Sequence, residues 1–474
     1  MDHAYPGTVI SMTLAKLSAQ ARTFAVLPLI ETPRHDTRLP IVPSRGRPPR
    51  VHLWHIGCQM NDADREMIAE RLREIGCLPE CSLEDADLVI LITCTVRQNA
   101  EQKVYGKFRE LTPWKREREG RAIAMTGCMA VEHGEQLLRT LPDLDYVFDV
   151  RDADGFFERL QQTYSIDLDG PLPAPPSDRI SAYVSVMGGC NEMCTYCIVP
   201  FVRGRESSRR VEDIVEQVRR LVDSGVREVT LLGQNVNSYM DPADGRRLWH
   251  LLEAVDQVPG LARLRFLTSH PRNATRELFA AMRDLPTVCE ALHLPVQAGH
   301  DDLLRRMRRV YTVAEYRERI AEAREMIPDL SLSTDIIVGF AGETPDEFAG
   351  TRALLEEVGF DVVHLQAYSV RPGTAAARRP DDIPTDEKKR RLNELLALQK
   401  ECAGRINARL LGEKVEVLLE GRGEDGRMYG RSRQNRMVWC EGTLQASVGD
   451  IVAATVTGTS AWQLEARVEE SASA

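Results

Sequence analysis

With 474 residues, of which 43% are hydrophobic and 28% are charged, the chain has the composition of a globular protein of about three domains rather than of a disordered one. Its formal net charge of −10 argues against a protein that coats nucleic acid non-specifically, although a local basic face can coexist with an acidic total. It has no run of eighteen consecutive apolar residues to span a membrane, and eleven cysteines without a secretory signal pattern predict thiols or metal ligands in the cytoplasm.

Two stretches are predicted to lie outside the folded domains. Residues 1–50 carry several prolines and arginines, few acids and no sustained hydrophobic period, which predicts a flexible extension, although such a start also resembles an organelle transit peptide. Pro171–Pro176 contains four prolines and predicts a stiff linker. The domains are therefore predicted over residues 51–170, 177–408 and 410–472.

The first domain is predicted to contain a parallel sheet. Its apolar strands alternate with helical stretches, as in α/β layers, and they span Val51–Gly57, Asp87–Thr93 and Arg121–Gly127. Each strand ends at a cysteine, and these three residues are named here the N-terminal triplet: Cys58, Cys94 and Cys128. Because the carboxyl ends of parallel strands meet at one edge of a sheet, we expect the three cysteines to converge there.

The second domain is predicted to be a partial or full β/α barrel. Helices such as Val211–Asp223 and Val313–Met326 separate six apolar strands. The strands span Ile180–Met187, Glu228–Leu232, Leu264–Thr268, Glu290–Leu294, Leu332–Val338 and Val362–Ala367. In such barrels the chemistry lies at the carboxyl ends of the strands.

The third domain is predicted to be a small all-β barrel. It follows a polar helix from Asp386 to Leu410, and its short strands are separated by glycine turns. The strands span Lys414–Glu420, Met428–Gly430, Arg436–Cys440 and Ile451–Gly458. Small barrels of this kind often bind nucleic acid.

Three basic runs lie in the second domain, and each is more typical of a solvated helix face than of a phosphate site. They are Arg203, Arg205, Arg209 and Arg210; Arg305, Arg306, Arg308 and Arg309; and Lys388, Lys389, Arg390 and Arg391.

The most specific motif is Cys190-Asn-Glu-Met-Cys194-Thr-Tyr-Cys197, whose three cysteines are named here the barrel triplet. Three thiolates hold three irons of a 4Fe-4S cluster and leave one iron open, whereas a cluster closed by protein takes a fourth cysteine. Structural zinc is the alternative, but it takes four ligands, and no further Cys or His lies close by in sequence. The motif closely resembles that of the radical S-adenosylmethionine (SAM) superfamily, in which the open iron binds SAM and an electron cleaves it to a 5′-deoxyadenosyl radical.

The N-terminal triplet allows two interpretations. Cysteines that converge on one sheet edge can hold a second cluster with an open iron, but free cysteine is also a common buried apolar residue. The remaining cysteines lack such placement and are interpreted as structural: Cys77, Cys81, Cys289, Cys402 and Cys440.

Longer runs resemble one family, the methylthiotransferases, and within it the tRNA-2-methylthio-N6-dimethylallyladenosine synthases. The resemblance covers residues 51–468 and rests on Gly57–Asn61, Thr93–Arg97, Asn99–Gly106, Gly127–Ala130, Gly189–Asn191, Cys197–Arg205, Leu232–Tyr239, Thr268–Pro271 and Leu292–Gln297. The choice of subfamily depends on Gly57–Asn61 and Val96–Glu101. The C-terminal part resembles a TRAM domain, an RNA-binding β-barrel, with Arg431–Arg436 as its basic turn.

The resemblance implies a reaction, its cofactors and its site residues. The C2 hydrogen of N6-(dimethylallyl)adenosine, next to the anticodon of a tRNA, would be replaced by a methylthio group, with two SAM molecules per turnover and one 4Fe-4S cluster at each triplet. SAM contacts are expected from Tyr196, Gln234, Asn235, Gln297, Asp335 and Gly339. RNA contacts are expected from Arg203, Arg205, Arg431, Arg433 and Arg436. The expected partners of this monomer are the tRNA anticodon stem-loop, a flavodoxin- or ferredoxin-like electron donor and a sulfur source, with no membrane.

Two other hypotheses remain open from the sequence. The methylthio group could go to N6-threonylcarbamoyladenosine in tRNA or to an aspartate of a ribosomal protein. Alternatively, the chain could be a non-catalytic RNA-binding protein with structural metal, which requires redox-silent zinc and no cleavage of SAM.

Overall fold

The computed structural model describes residues 48–96, 98–164, 179–442 and 446–468. Most of the predicted extension and the whole predicted linker lie outside these residues. In chain order, a parallel α/β sheet is followed by a partial β/α barrel and then by a small closed β-barrel, which confirms the predicted fold class. No helix among the described residues is long and apolar enough to cross a membrane.

The N-terminal domain is built on a parallel five-stranded sheet with the order β2-β1-β3-β4-β5. The strands are β1 Arg50–His55, β2 Leu78–Pro79, β3 Leu88–Thr93, β4 Ala122–Gly127 and β5 Tyr146–Val147. The helices are α1 Gln59–Glu74, α2 Gln98–Glu117, α3 Cys128–His133, α4 Gln136–Thr140 and α5 Asp154–Tyr164. Every residue of β3 and β4 is buried, because apolar clusters cover both faces of the sheet. The three predicted strands are confirmed, whereas the edge strands β2 and β5 were not predicted.

Gly127 allows β3 and β4 to pair up to the residues that precede Cys94 and Cys128. Gly127 has a φ of 91°, and a Cβ there would collide with the carbonyl oxygen of Thr93. We expect Gly127→Ala to lower the free energy of unfolding by about 3 kcal/mol, because it combines left-handed backbone strain with this collision. Urea denaturation measures the loss. Gly155→Ala is the matched control, since a Cβ at Gly155 meets no atom within 4 Å; an equal, small effect in both variants would contradict the expectation.

The central domain is a partial barrel of six parallel strands, arranged as two sheets with the orders β10-β9-β6 and β11-β12-β13. The strands are β6 Ser181–Ser185, β9 Glu228–Leu232, β10 Arg263–Leu267, β11 Ala291–His293, β12 Ser331–Val338 and β13 Val362–Ala367, and an antiparallel pair, β7 Met187–Gly188 and β8 Ser207–Ser208, lies beside them. The two sheets meet at the bridge between Leu264 and Val288. Among the described residues β6 and β13 do not pair, so the barrel is partial, and all six predicted strands are confirmed.

Eight helices of the described central domain follow or connect these strands. They are α6 Val199–Val202, α7 Val211–Asp223, α8 Leu248–Asp256, α9 Arg276–Asp284, α10 Asp301–Arg306, α11 Val313–Met326, α12 Pro345–Val358 and α13 Thr385–Ala408. Helix α11 begins at a capping box, in which Thr312 and Glu315 satisfy each other's backbone N–H groups, and α12 begins in the same way. Helix α12 ends at Gly359, whose left-handed backbone turns the chain back toward the sheet.

The C-terminal domain is a closed barrel with the strand order β14-β15-β16-β18-β17. The strands are β14 Lys414–Arg422, β15 Met428–Ser432, β16 Met437–Glu441, β17 Ile451–Thr459 and β18 Gln463–Val468. The four predicted strands are confirmed. The fifth, β18, was not predicted, although it alternates buried Leu464 and Ala466 with exposed polar residues as a half-buried strand does.

Candidate active site

The barrel triplet lies on the loop between β7 and β8, beyond the carboxyl end of β6. The loop folds back on itself, because the backbone N–H of Cys190 donates to the carbonyl of Gly204 and that of Cys197 donates to the carbonyl of Cys194, each over 3.1 Å. Burial raises the pKa of Cys197 to about 12 and that of Cys190 to about 11, and the negative charge of Cys194 adds to both shifts. Because burial disfavours the ionisation of Cys190 and Cys197, these thiols require a bound cationic group to become thiolate ligands.

The spacing of the sulfur atoms distinguishes a single metal ion from a cluster. A single zinc ion, with Zn–S bonds of about 2.3 Å, holds any two sulfurs no more than about 4.6 Å apart. Among the described residues, the groups of three His, Cys, Asp or Glu ligand atoms that lie within 4.8 Å of one another contain no cysteine. Neither triplet therefore forms such a compact group, and three thiolates fit three irons of a 4Fe-4S cluster with one iron open.

Polar atoms without partners lie at the carboxyl ends of β9 and β10. At these two strand ends, four buried atoms have no hydrogen-bond partner within the described part of the chain: Gln234 Oε1, Asn235 Oδ1, Ser269 Oγ and His270 Nε2. An unsatisfied buried polar group costs about 1–3 kcal/mol. Burial, assisted by Arg309 and Arg272, lowers the pKa of His270 to about 3, so its imidazole stays neutral. These atoms fit a polar ligand beside the barrel triplet, as expected for the predicted residues Gln234 and Asn235.

The other predicted SAM residues lie in neighbouring segments of the barrel. The backbone N–H of Gln297 donates to the carbonyl of Asp335 over 2.8 Å, which joins the segment after β11 to β12. The Asp335 carboxylate lies 3.4 Å from His293 Nε2. Gly339 follows β12, and a Cβ there would collide with the side chain of Lys388 on α13. Tyr196 lies close to both Cys194 and Arg309. All of them surround the same end of the barrel, and their contacts with SAM stay predictions.

Arg309 and His270 also belong to this site, although the sequence patterns did not indicate either of them. The guanidinium of Arg309 is buried and donates to Cys194 Sγ over 3.4 Å and to the carbonyl of Pro295 over 2.9 Å. Arg309 is part of a basic run, and His270 is part of the run Thr268–Pro271 that carries the family resemblance. Neither pattern indicates which side chain turns into the barrel.

The N-terminal triplet converges at the edge of the parallel sheet, as expected from the ends of its strands. Cys58 is exposed, whereas Cys94 and Cys128 are buried. A Cβ at Gly57 would lie 2.5 Å from the Cβ of Cys94, so the loop after β1 passes directly over the end of β3. Burial raises the pKa of Cys128, Arg203 opposes this shift, and the charge of Cys58 adds to it. The three thiols are therefore close neighbours.

Shared elements hold the two triplets against each other. Ile198 and Val202, which follow the barrel triplet, pack with Cys128 in one apolar cluster. The loop after β13 reaches both sides: Arg371 donates to the carbonyl of Val96 over 3.0 Å, and the N–H of Ala376 donates to the carbonyl of Thr195 over 2.7 Å. The arrangement gives one composite site with two cysteine-rich ends.

Comparisons with known proteins agree with this arrangement. Three family profiles match the chain in order: uncharacterized protein family UPF0004 over residues 50–149, the radical SAM superfamily over residues 184–355 and the TRAM domain over residues 408–468. The tRNA-2-methylthio-N6-dimethylallyladenosine synthase of Acetivibrio thermocellus is 42% identical over 429 residues, which are 87% of this chain and 89% of the relative. The chain belongs to the tRNA-2-methylthio-N6-dimethylallyladenosine synthase family. The synthase of Pelobacter propionicus is 44% identical over 403 residues, which are 82% and 92% of the two chains.

Solved structures with a similar fold share less sequence with this chain than the synthases do. The radical SAM methyltransferase TsrM from Kitasatospora setae, solved with cobalamin and a 4Fe-4S cluster, superposes with a TM-score of 0.53 at 14% identity and covers 69% of this chain and 74% of its own. That likeness concerns the fold alone. Membership of the synthase family, together with the match to the radical SAM profile, confirms the predicted cofactors, SAM and 4Fe-4S clusters.

Three of the predicted RNA-binding arginines have intramolecular partners in this synthase family member. Arg203 is 7% exposed and pairs with Asp64 over 2.7 Å. Arg433 pairs with Glu290 over 2.7 Å, and Arg436 pairs with Asp361. Carboxylates of other domains hold these guanidinium groups in the structure without RNA, and their contacts with RNA phosphates stay predictions.

Arg433 and Arg436 instead attach the TRAM barrel to the central domain. Two arginines of β10 complete the attachment: Arg263 is fully buried and donates to the carbonyl of Arg431 over 2.6 Å, and Arg265 donates to the carbonyls of Ser432 and Arg433 over 2.9 and 2.7 Å. The predicted basic turn therefore packs against the barrel with its backbone. The third basic run is also partly internal, because Lys388 and Arg391 are buried and pair with Asp381 and Glu343.

Proposed function

We propose that the chain is the tRNA methylthiotransferase that converts N6-(dimethylallyl)adenosine, next to the anticodon, to its 2-methylthio derivative. The observation that carries this function is the pair of open cysteine triplets joined by Arg371, Ala376 and the helix after Cys197, in a chain about 40% identical to synthases of that name. The C2–H bond of the base is not acidic, so no positioned side-chain base can remove its hydrogen at neutral pH. A radical reaction is required, and the barrel triplet is placed for it.

Each group of residues has a separate task in this proposal. The barrel triplet and the N-terminal triplet would each hold one 4Fe-4S cluster, which would supply the electron for the cleavage of SAM at the first site and would carry the sulfur at the second. Gln234, Asn235, Gln297 and Asp335 orient SAM at the carboxyl ends of the strands. The loop after β13 closes the space between the two sites and limits the access of water.

RNA contacts are proposed foremost for two of the five predicted arginines. Arg205 is exposed beside the barrel triplet, and Arg431 is partly exposed on the TRAM barrel, where it pairs with Glu420 over 3.3 Å. The proposed partners are the tRNA anticodon stem-loop as substrate, a flavodoxin- or ferredoxin-like electron donor and a sulfur source. The protein is proposed to be a cytoplasmic monomer. Its proposed domains span residues 51–170, 177–408 and 410–472. Bases of an anticodon loop are partly unstacked, which lowers the cost of extruding one into the barrel.

Salt dependence separates the arginines that bind RNA from those that attach the TRAM barrel. We expect Arg205→Ala to reduce the slope of log affinity against log salt by about one, because one phosphate contact is lost. Arg433→Ala should leave that slope unchanged and instead lower the free energy of unfolding by about 2 kcal/mol, since Glu290 loses its partner. Filter binding of a tRNA anticodon stem-loop at several salt concentrations, together with urea denaturation, measures both effects. If Arg433→Ala instead reduced the salt slope and left the free energy of unfolding unchanged, Arg433 would contact RNA.

The nucleoside composition of tRNA tests the proposed reaction directly. In cells that lack the protein, 2-methylthio-N6-(dimethylallyl)adenosine should disappear while N6-(dimethylallyl)adenosine accumulates, and the intact gene should restore the product. Loss of the methylthio group from threonylcarbamoyladenosine, or from a ribosomal-protein aspartate, would favour those targets instead. A colourless purified protein that forms no 5′-deoxyadenosine from SAM and dithionite would favour a structural zinc protein.

A further inference from the structure

Two histidines and one aspartate meet on three adjacent strands of the central domain. His293 lies on β11, Asp335 on β12 and His364 on β13, and each offers a ligand atom that lies within 4.8 Å of the other two. His293 Nε2 is 3.4 Å from the carboxylate of Asp335, and the centroids of the two imidazole rings are 5.6 Å apart. These three side chains are named here the His-Asp-His group.

The register of the strands brings this group together. Asp335 is opposite His364 in the parallel pair of β12 and β13, and His293 is opposite Ser333, two positions before Asp335. Because side chains two positions apart share one face of a sheet, the whole group lies on the same face. Ile336 belongs to the apolar core on the other face. The His-Asp-His group therefore faces away from the core, on the side where Asp335 is expected to meet SAM.

A hydrogen bond fixes the orientation of one imidazole. His293 Nδ1 lies 3.0 Å from Ser333 Oγ. When Nδ1–H donates to this hydroxyl, Nε2 presents its lone pair toward Asp335. Histidines that bind metal ions commonly have their second ring nitrogen held by such a partner, which fixes the tautomer and the direction of the ring. His293 is thus oriented as a metal ligand would be.

The other group of three such atoms among the described residues lacks these features. It consists of His300, Asp302 and Glu347. Both carboxylate oxygens of Glu347 accept from Arg306, each over 2.6 Å, and Asp302 pairs with Arg305 over 2.6 Å. A metal ion would have to displace two guanidinium groups there, so this second group is not a comparable site.

We propose that His293, Asp335 and His364 bind one divalent transition-metal ion of the class of Zn²⁺, Co²⁺ and Ni²⁺, and that the bound ion competes with SAM for Asp335. Imidazole nitrogens suit these ions, whereas Mg²⁺ and Ca²⁺ prefer oxygen ligands. Bonds of about 2.0–2.2 Å require the ligand atoms to lie about 4 Å apart or less, which small rotations of the side chains supply. The competition rests on the proposed function, in which Asp335 orients SAM, but the metal site does not.

The test uses the full chain with both clusters reconstituted, so that the six triplet cysteines hold iron. Equilibrium dialysis against Co²⁺, followed by analysis of cobalt and iron in the same sample, should give about one cobalt per chain at an unchanged iron content. His293→Gln, Asp335→Asn and His364→Gln should each weaken cobalt binding by at least about 100-fold, because each removes a ligand, and Ser333→Ala should weaken it about tenfold. An excess of Mg²⁺ should not displace the cobalt.

His250→Gln is the matched control, because His250 is an exposed histidine of the same domain that lies outside the group. This variant should bind cobalt as tightly as the unchanged chain. Equal cobalt binding by the unchanged chain and the three ligand variants would overturn the metal site. A loss in His250→Gln as large as that in His364→Gln would overturn it as well.

Adding SAM distinguishes the failure of this inference from that of the proposed function. We expect saturating SAM to weaken cobalt binding at least about tenfold, and cobalt to weaken SAM binding by the same factor, because coupling between two ligands is reciprocal. Cobalt binding that SAM leaves unchanged, in a protein shown to bind SAM, would overturn the competition. A reconstituted protein that binds no SAM would contradict the proposed function, whereas the ligand variants would still decide the metal site.

Discussion

Replacing Cys190, Cys194 and Cys197 together by alanine is expected to abolish both the cleavage of SAM and the formation of methylthiolated product. Without three thiolates the open-iron cluster cannot form, and in the proposed mechanism this cluster supplies the electron to the sulfonium. Product formation should fall by at least about 10⁴-fold. The iron content after anaerobic reconstitution should fall from about eight to about four atoms per chain.

The matched control for this variant is Cys289→Ala, because Cys289 is a buried cysteine of the same domain that belongs to neither triplet. It should keep about eight irons and its activity. Detection of 5′-deoxyadenosine from the triple variant, by chromatography after incubation with SAM and dithionite, would contradict the assignment of the barrel triplet. An unchanged iron content would contradict it equally.

Replacing Cys58, Cys94 and Cys128 together by alanine is expected to separate the two halves of the reaction. The barrel triplet is intact in this variant, so SAM should still be cleaved to 5′-deoxyadenosine. The methylthiolated nucleoside should fall below detection, again by at least about 10⁴-fold, because no site remains to hold the sulfur. Iron should fall to about four atoms per chain.

Cys81→Ala is the corresponding control, since Cys81 is a half-buried cysteine of the same domain outside the triplet. It should retain both partial reactions. Methylthiolation by the triple variant would refute the role of the N-terminal triplet, and four irons in a protein whose six triplet cysteines are intact would refute the two-cluster arrangement. The folded state of each variant can be checked by circular dichroism, so that a loss of activity is not confused with unfolding.

The strands of the sheet and of the barrel could be predicted because buried parallel strands are continuous apolar runs. Asp87–Thr93 is such a run, and the strand is observed at Leu88–Thr93. Leu78–Pro79 could not be predicted, since two residues show no period. Whether the barrel is closed also depends on the pairing of β6 with β13, which lie about 180 residues apart.

The candidate site was predictable where its chemistry is local. The spacing within the barrel triplet, and the position of each N-terminal cysteine directly after a strand, indicated both groups before the structure was known. Ser269 and His270 were not assigned, because a serine and a histidine after a strand are ordinary residues. Only the folded barrel shows that their polar atoms are buried without a partner among the described residues.

The sequence by itself predicted the six cysteine ligands and determined the order of the three domains and the family, because these depend on neighbouring residues or on strands that end in cysteine. Only the tertiary structure decided what the arginines do. Arg203 meets Asp64 across 139 positions, and Arg433 meets Glu290 across 143. A guanidinium binds a phosphate or a carboxylate with the same donors. Its role therefore depends on which anion the fold places opposite it, and a basic run carries no information about that partner.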